Sequence, residues 1–358
     1  MKSSFKSYVC ILFFLFPVIS WGQGESPEKK SNIITRTSFR PLPLVSYNRS
    51  KGYILGAMLT AFTQIEKNDT ISPPSRTIIG AGFTGNKSWF GMAGQQLYLK
   101  QDKFRVVWAL GTGKSNFQYF EIIDESGEGM YIDYNTTIDF FLASAVYKFY
   151  KHLYGGLRYT QSNSLTKFED PSPRPDEQRE LRSLGIMLNL DTRDYVYYPS
   201  KGIYVGSQLN WNAKWLGSDD EFTSMTVFAN HYIRLNSTSV LASRLYVYAG
   251  LGEVPFVGQR SIGGKDLRGY TQGTYRSDKK TALQTEWRYN FYKKWGAVAF
   301  AGMAYAFETE TAAASGLLPA GGVGLRYSII PKMKMNAGID FAAGKNDFGV
   351  YFRVGEAF

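Results

Sequence analysis

Along most of the chain, apolar and polar residues alternate one for one in runs of ten or more. In Gly202–Trp215, Ile203, Val205, Ser207, Leu209, Trp211, Ala213 and Trp215 oppose Tyr204, Gly206, Gln208, Asn210, Asn212 and Lys214. In Thr281–Phe291, Leu283, Thr285, Trp287, Tyr289 and Phe291 oppose Gln284, Glu286, Arg288 and Asn290. Val240–Leu251 sets Leu241, Leu245, Val247 and Leu251 against Arg244, Tyr246 and Tyr248. A period of two is that of a β-strand, whose successive side chains leave opposite faces. The runs match the roughly 9–11 residues a tilted membrane strand needs.

Such segments fall near residues 52–65, 76–86, 88–100, 103–112, 116–124, 130–149, 151–165, 180–192, 201–215, 221–235, 240–252, 280–292, 295–307, 318–328, 333–343 and 346–358. These are sixteen, and single-chain bacterial barrels have an even number. The expected fold is all-β: a 16-stranded antiparallel transmembrane barrel over residues 52–358, preceded by a short periplasmic segment at 23–51. If the first strand starts in the periplasm, Glu66–Ser75, Lys167–Glu180, Glu253–Lys280 and Glu308–Gly316 become outward loops. Asn86–Ser88, Lys151, Lys293–Lys294 and Ile330–Lys332 become short inward turns, the asymmetry expected of such barrels. Asp191–Gly202 is an inward link longer than its neighbours.

The N-terminus strengthens the export reading. Lys2 and Lys6 precede a 12-residue apolar stretch, Tyr8–Ile19, and Ser20-Trp21-Gly22 forms a small-x-small cleavage site. Residues 1–22 therefore read as a cleaved signal peptide, too short for a spanning helix. The lone Cys10 goes with it, so the mature chain has neither disulfide framework nor thiol nucleophile. Removing Lys2 and Lys6 takes the net charge from +11 to +9. In an exported chain that balance suits anionic lipid headgroups rather than nucleic acid. Aromatic residues at 16% and 36 glycines disfavour disorder and helical bundles. Catalysis lacks material: His152 and His231 are the only imidazoles, and no spacing suggests a triad, a metal cluster or a cofactor site.

Three motifs remain. Gly263-Gly264-Lys265-Asp266-Leu267-Arg268-Gly269-Tyr270 sits in the longest outward loop, followed by Glu286 and Arg288 on the next strand. Asp191-Thr192-Arg193-Asp194, with Pro199 and Gly202, occupies the long inward link. Phe348, Val350, Phe352, Val354 and Phe358 alternate to the end. In this order and at these strands the motifs resemble those of the BamA/TamA superfamily of outer-membrane insertion and translocation barrels, the bacterial surface antigen family. The resemblance covers the chain after about Lys51.

It implies that the sixth outward loop folds back into the lumen on its Arg-Gly-Tyr motif. Glu286, on the polar face of its strand, is the expected partner of Arg268, since an arginine inside a barrel is costly without a carboxylate. A guanidinium can take one carboxylate in a two-point fork. Gly269 would allow a tight turn and Tyr270 would pack on the wall. The family's second carboxylate falls here at Gly302, beside the matching aromatic Phe300, leaving Glu286 to carry the charge alone. Asp191, Arg193 and Asp194 read equally as a charged stop or as a salt-bridged turn. Phe352, Val354 and Phe358 resemble a C-terminal sorting signal.

The implied function is insertion, assembly or translocation of polypeptides through a plugged lumen and a lateral seam. That seam is expected between strand 1, near Gly52–Gln64, and strand 16, near Asp347–Phe358, with Gly52, Gly56, Gly349 and Gly355 loosening it. Expected partners are outer-membrane lipid, unfolded client polypeptides and a periplasmic or lipoprotein partner, because residues 23–51 are too few for the family's POTRA module. The alternative is a passive outer-membrane pore or a structural barrel subunit of a larger complex.

Overall fold

The computed structural model describes residues 37–48, 52–122, 129–170, 175–195, 198–307, 316–330 and 335–358. The signal-peptide reading at 1–22 lies outside them. In chain order the strands are β1 (Ser38–Asn48), β2 (Gly52–Thr63), β3 (Ser75–Thr84), β4 (Trp89–Leu99), β5 (Phe104–Ile122), β6 (Gly129–Tyr150), β7 (Leu153–Phe168), β8 (Glu177–Asp191) and β9 (Gly202–Asn212). There follow β10 (Phe222–Arg234), β11 (Ser239–Gly252), two short pieces β12 (Arg260–Ser261) and β13 (Arg276–Ser277), then β14 (Lys279–Tyr292), β15 (Trp295–Phe307), β16 (Gly316–Ile330), β17 (Met335–Gly344) and β18 (Asp347–Val354). All but β12 and β13 form one antiparallel barrel of sixteen strands, each beside its chain neighbours, with β18 returning to β1. No helix among the described residues is long and apolar enough to cross a membrane.

The alternation sorts side chains by solvent, inside out relative to a water-soluble protein. On β14, Leu283 and Trp287 are 46% and 45% exposed, whereas Gln284 and Glu286 are fully buried. On β11, Leu245 faces outward while Arg244, Tyr246 and Tyr248 are buried. Water would not tolerate such a continuous apolar band; acyl chains accept it.

The sequence reading needs three corrections. The barrel begins at Ser38, inside the stretch assigned to a pre-barrel segment, because β1 pairs with β2 along its whole length. Pro41 and Pro43 hid it, since a proline within a run argues against a paired strand except at an edge. The two strands expected at 103–112 and 116–124 are one, β5, paired continuously with β6. Gly111 and Gly113 lie where the expected break fell, but their small size serves packing: a Cβ on Gly111 would lie 2.6 Å from the Phe140 ring. The two errors offset, and the count of sixteen stands.

They also reversed the sides of the first links. The link 64–74 lies on the rim where β1 begins and β18 ends, the terminal rim, together with 100–103, 151–152, 192–201 and 293–294. Link 85–88 lies on the opposite, loop rim with 253–278. At the terminal rim, Gln101 N donates to Asp69 Oδ2 at 2.8 Å and Asp102 N to Ser72 Oγ at 2.7 Å, tying the first links together.

Leu245 sits at the middle of β11, paired with Ala229 and Leu283. Leu245→Arg is expected to destabilise the barrel by about 2–4 kcal/mol, the cost of a charge on the lipid face near the bilayer midplane. Denaturant unfolding from lipid vesicles measures it, and a change below about 1 kcal/mol would contradict the assigned outward face.

Candidate functional site

The segment between β11 and β14 carries the loop motif and touches the inner wall on two sides. Val254, Phe256 and Val257 pack against Phe117, Ile132, Tyr134, Leu181 and Phe222. Ile262, Leu267 and Tyr270 pack against Ala282, Ala304, Ala306 and Leu318, where alanines on the wall leave room for large side chains. At Gly269 the backbone is left-handed, φ 106°, and a Cβ would lie 2.8 Å from the Ala343 carbonyl carbon, so glycine is required twice over. Tyr270 Oη donates to Pro319 O at 2.6 Å, and Thr271 N donates to Asp347 Oδ2 at 2.6 Å.

Arg268 is fully buried. Its Nη2 lies 2.6 Å from Glu286 Oε2, its Nη1 donates to Asp340 Oδ2 at 2.6 Å, and its Nε donates to Gln284 Oε1 at 3.0 Å. The guanidinium carbon stands 3.3 Å from the centre of the Phe300 ring. Two expectations change here. Glu286 does not carry the charge alone, and the guanidinium divides its arms between two carboxylates instead of forking onto one. The second carboxylate, Asp340 on β17, takes the part that Gly302 could not. Leu267 lies where a Cβ on Gly302 would point, 2.8 Å away, so Gly302 makes room for the loop instead.

Around this pair the network spreads over four strands. Asp340 also accepts Arg326 Nη1 and has Arg353 Nε at 2.8 Å. Glu286 accepts Arg288 Nε at 2.8 Å, and Glu356 accepts Arg326 Nε at 3.0 Å and Asn336 Nδ2 at 2.8 Å. Arg268, Arg288, Arg326 and Arg353 thus meet Glu286, Asp340 and Glu356, four cations to three anions. Asp266 lies outside this cluster, held by Lys280 Nζ at 2.9 Å and Arg244 Nη2 at 3.3 Å. Sequence reasoning missed Arg326, Asp340, Arg353 and Glu356. Asp340 shares the polar face of β17 with Asn336, a signal that alternation offered but that pointed to no partner.

The turn motif makes a second buried knot at the terminal rim. Arg193 reaches both oxygens of Asp191, Nε at 2.9 Å and Nη2 at 3.0 Å, over the Tyr204 ring. Arg105 Nη1 joins the same carboxylate at 3.2 Å and binds Asp102 at 2.6 Å. Burial pushes the Asp102 carboxyl up, but Arg105, Lys148 and the Tyr154 hydroxyl outweigh it and hold it below the usual carboxylate range. That contact therefore adds stability above the ordinary carboxylate pKa and gives it up as pH falls. Asp194 accepts Ser200 N at 2.8 Å and Arg234 Nη2 at 3.1 Å, with Pro199 buried beside it. Gly202 is left-handed, φ 104°, and a Cβ there would lie 2.3 Å from Thr192 O. Of the two readings, the geometry matches the salt-bridged turn.

The C-terminal residues divide. Phe352 points outward, 46% exposed, but β18 ends at Val354. Gly355, at φ 89°, turns the chain inward, and Phe358 packs on Tyr232 and Ala242 while its carbonyl accepts Arg288 Nη2 at 3.0 Å. Phe358 therefore leaves the outward row to which alternation assigned it, because Glu356 is drawn to the inner arginines.

The seam is the weak join of the wall. β1 and β18 share two residue pairs, Tyr47↔Val350 and Asn48↔Gly349, whereas every other neighbouring pair of barrel strands shares at least eight. Tyr47 and Phe348 stack across it at 6.4 Å. The seam runs along β1, not along the strand near Gly52–Gln64, so Gly52 and Gly56 lie one strand away from it. A proline fits a ladder only where its nitrogen faces away from the partner. Since β1 pairs throughout with β2, Pro41 and Pro43 turn their nitrogens to the seam and present no donor there.

Removing Arg268 leaves three cations facing three anions, whereas removing Asp340 leaves four facing two. Asp340→Ala is therefore expected to cost about 3–5 kcal/mol, and Arg268→Ala distinctly less. Unfolding midpoints of the two variants decide the order; the reverse order would show that the network is not governed by charge balance.

Residues 76–358 match the Omp85 superfamily domain. Among solved structures, BamA from Haemophilus ducreyi lacking POTRA domains 1-3 is similar over 89% of this chain and 70% of that one, at 13% identity and a TM-score of 0.56. CdiB from Acinetobacter baumannii is similar over 90% of this chain and 60% of its own, at 11% identity and a TM-score of 0.60. CdiB from Escherichia coli is similar over 92% and 63%, at 12% identity and a TM-score of 0.60. The chain thus spans less than two thirds of either CdiB. A search of curated proteins gave no match. With the family domain matched over most of its length and a sixteen-strand wall joined by one scant seam, the chain belongs to the Omp85 superfamily.

Proposed function

We propose that this barrel inserts or translocates polypeptides at the outer membrane, with the β1–β18 seam as the lateral path and the 253–278 segment as the luminal plug. The seam carries the reading. An unpaired strand edge presents free N–H and C=O groups that template an incoming strand. Here β1 and β18 leave most of their facing edges without each other as partners.

The plug supports the same reading over a passive pore. Sixteen strands can enclose an aqueous lumen, but Arg268, Tyr270 and Phe256 pack on opposite stretches of the wall and cross it. In this reading a periplasmic or lipoprotein partner delivers unfolded clients to the terminal rim. The salt-bridged turn stiffens that rim for the contact. No group of histidine, cysteine or carboxylate side chains among the described residues suits a metal.

Two measurements test this. Continuing the register of Tyr47↔Val350 sets Val45 opposite Phe352. Val45→Cys with Phe352→Cys, oxidised, is expected to abolish client insertion in proteoliposomes and to recover it on reduction; full activity of the locked form would exclude the lateral path. Single-channel recording of the unmodified barrel is expected to give small, irregular currents. Large steady ones would favour the pore.

A further inference from the structure

Two hairpins on the terminal rim carry the same tripeptide, Phe149-Tyr150-Lys151 at the end of β6 and Phe291-Tyr292-Lys293 at the end of β14. In both, the ladder slips by a residue just before the tyrosine, between Lys148 and Tyr150 and between Asn290 and Tyr292. Such a bulge re-aims the side chain that follows. Tyr150 and Tyr292 stand 57% and 58% exposed. The lysine then adopts a left-handed backbone, φ 28° at Lys151 and 44° at Lys293. Its ammonium lies over the preceding ring, 5.2 Å and 5.0 Å from the centroid. Lys100 repeats the arrangement with φ 52° and 5.5 Å to the Phe104 ring, and Lys294 stands 6.0 Å from Tyr327.

A left-handed position suits glycine, or next asparagine; any other L-residue there carries a conformational cost. Three turns on one rim nevertheless place lysine there. These four lysines are exposed, except that Lys100 lends its backbone N–H to Glu66, and no carboxylate among the described residues pairs with their ammonium groups. Of the acidic groups of the rim, Asp69, Asp102, Asp191 and Asp194 are buried, and Glu66, half-buried, faces the Lys100 backbone.

We propose that the Phe-Tyr-Lys turns, with Lys100–Phe104 and Lys294–Tyr327, are binding sites for the phosphate of anionic glycerophospholipids. The bilayer, not an acidic protein, is the partner because of where the rings lie. Phe149, Phe291 and Trp295 are 54%, 49% and 40% exposed beside them, on the wall that acyl chains cover. Aromatic rings anchor at the headgroup level. A lysine held over such a ring keeps its charge at that height, where it meets lipid phosphate. On the loop rim Lys87 has the same backbone, φ 63°, but no ring beneath it among the described residues, and serves as the internal control.

The test uses the full chain in bilayers of phosphatidylcholine containing spin-labelled phosphatidylglycerol or phosphatidylcholine, with electron spin resonance reporting relative association. The unmodified barrel is expected to prefer phosphatidylglycerol roughly fivefold, and K100Q/K151Q/K293Q/K294Q to show about no preference. Y150L/Y292L, which keeps every charge, is expected to lose about half of it as the lysines lose their support. All the substituted side chains are exposed, and heat-modifiable gel migration verifies folding. A preference retained by the quadruple variant, or removed equally by Lys87→Gln, would overturn the assignment. So would lysine-dependent capture of an acidic protein with lipid preference unchanged.

Discussion

A backbone N–H or C=O facing acyl chains has no water to turn to, so a sheet in a bilayer must close on itself. Every structural feature of this chain follows from that demand or from the one place where it is scarcely met. Strands of eight to twenty-two residues pair with both neighbours around the wall. Only between β1 and β18 does the ladder shrink to two residue pairs. The prolines of β1 make this a property of the covalent chain: without N–H groups at positions 41 and 43, sliding the strands together cannot complete the ladder.

Closure also turns polarity inward, and the lumen has to settle its own charges. Arg268 brings a cation from the β11–β14 segment to carboxylates on β14 and β17, while Arg326 and Arg353 extend the same cluster to β16 and β18. The cluster therefore braces β18 from behind. The loop segment adds two more holds, Gly269 N to Tyr351 Oη at 3.1 Å and Thr271 to Asp347. One edge of the seam is thus fixed by buried ion pairs, while β1 is paired along its whole length on its β2 flank only. The lateral path proposed above rests on this difference between the two edges.

At the terminal rim, buried charges again organise the backbone. Asp69 and Ser72 hold the left-handed turn Lys100–Asp102, and from Asp102 the chain of contacts runs through Arg105 and Asp191 to Arg193. Links that are far apart in sequence are thereby joined. Asp69, Asp102, Asp191 and Asp194 are buried within the rim, while Lys100, Lys151, Lys293 and Lys294 stand exposed on its outer side.

Alternation with period two was enough to read the class of fold, the faces of β9, β11 and β14 and the exposure of Leu245, Leu283 and Trp287, because the pattern is local and each residue carries its own preference for water or lipid. The motifs at Arg268 and Asp191 were legible for a similar reason: charged residues and glycines at fixed spacing have few uses inside a membrane wall. Three matters were decided only in three dimensions. Whether Gly111 and Gly113 break or bend a strand depends on the Phe140 ring across the ladder. Whether Pro41 and Pro43 end a strand or edge a seam depends on which neighbour β18 turns out to be. And the second carboxylate for Arg268 came from Asp340, 72 residues away in sequence, because closing a cylinder brings together side chains whose only relation is that both point inward.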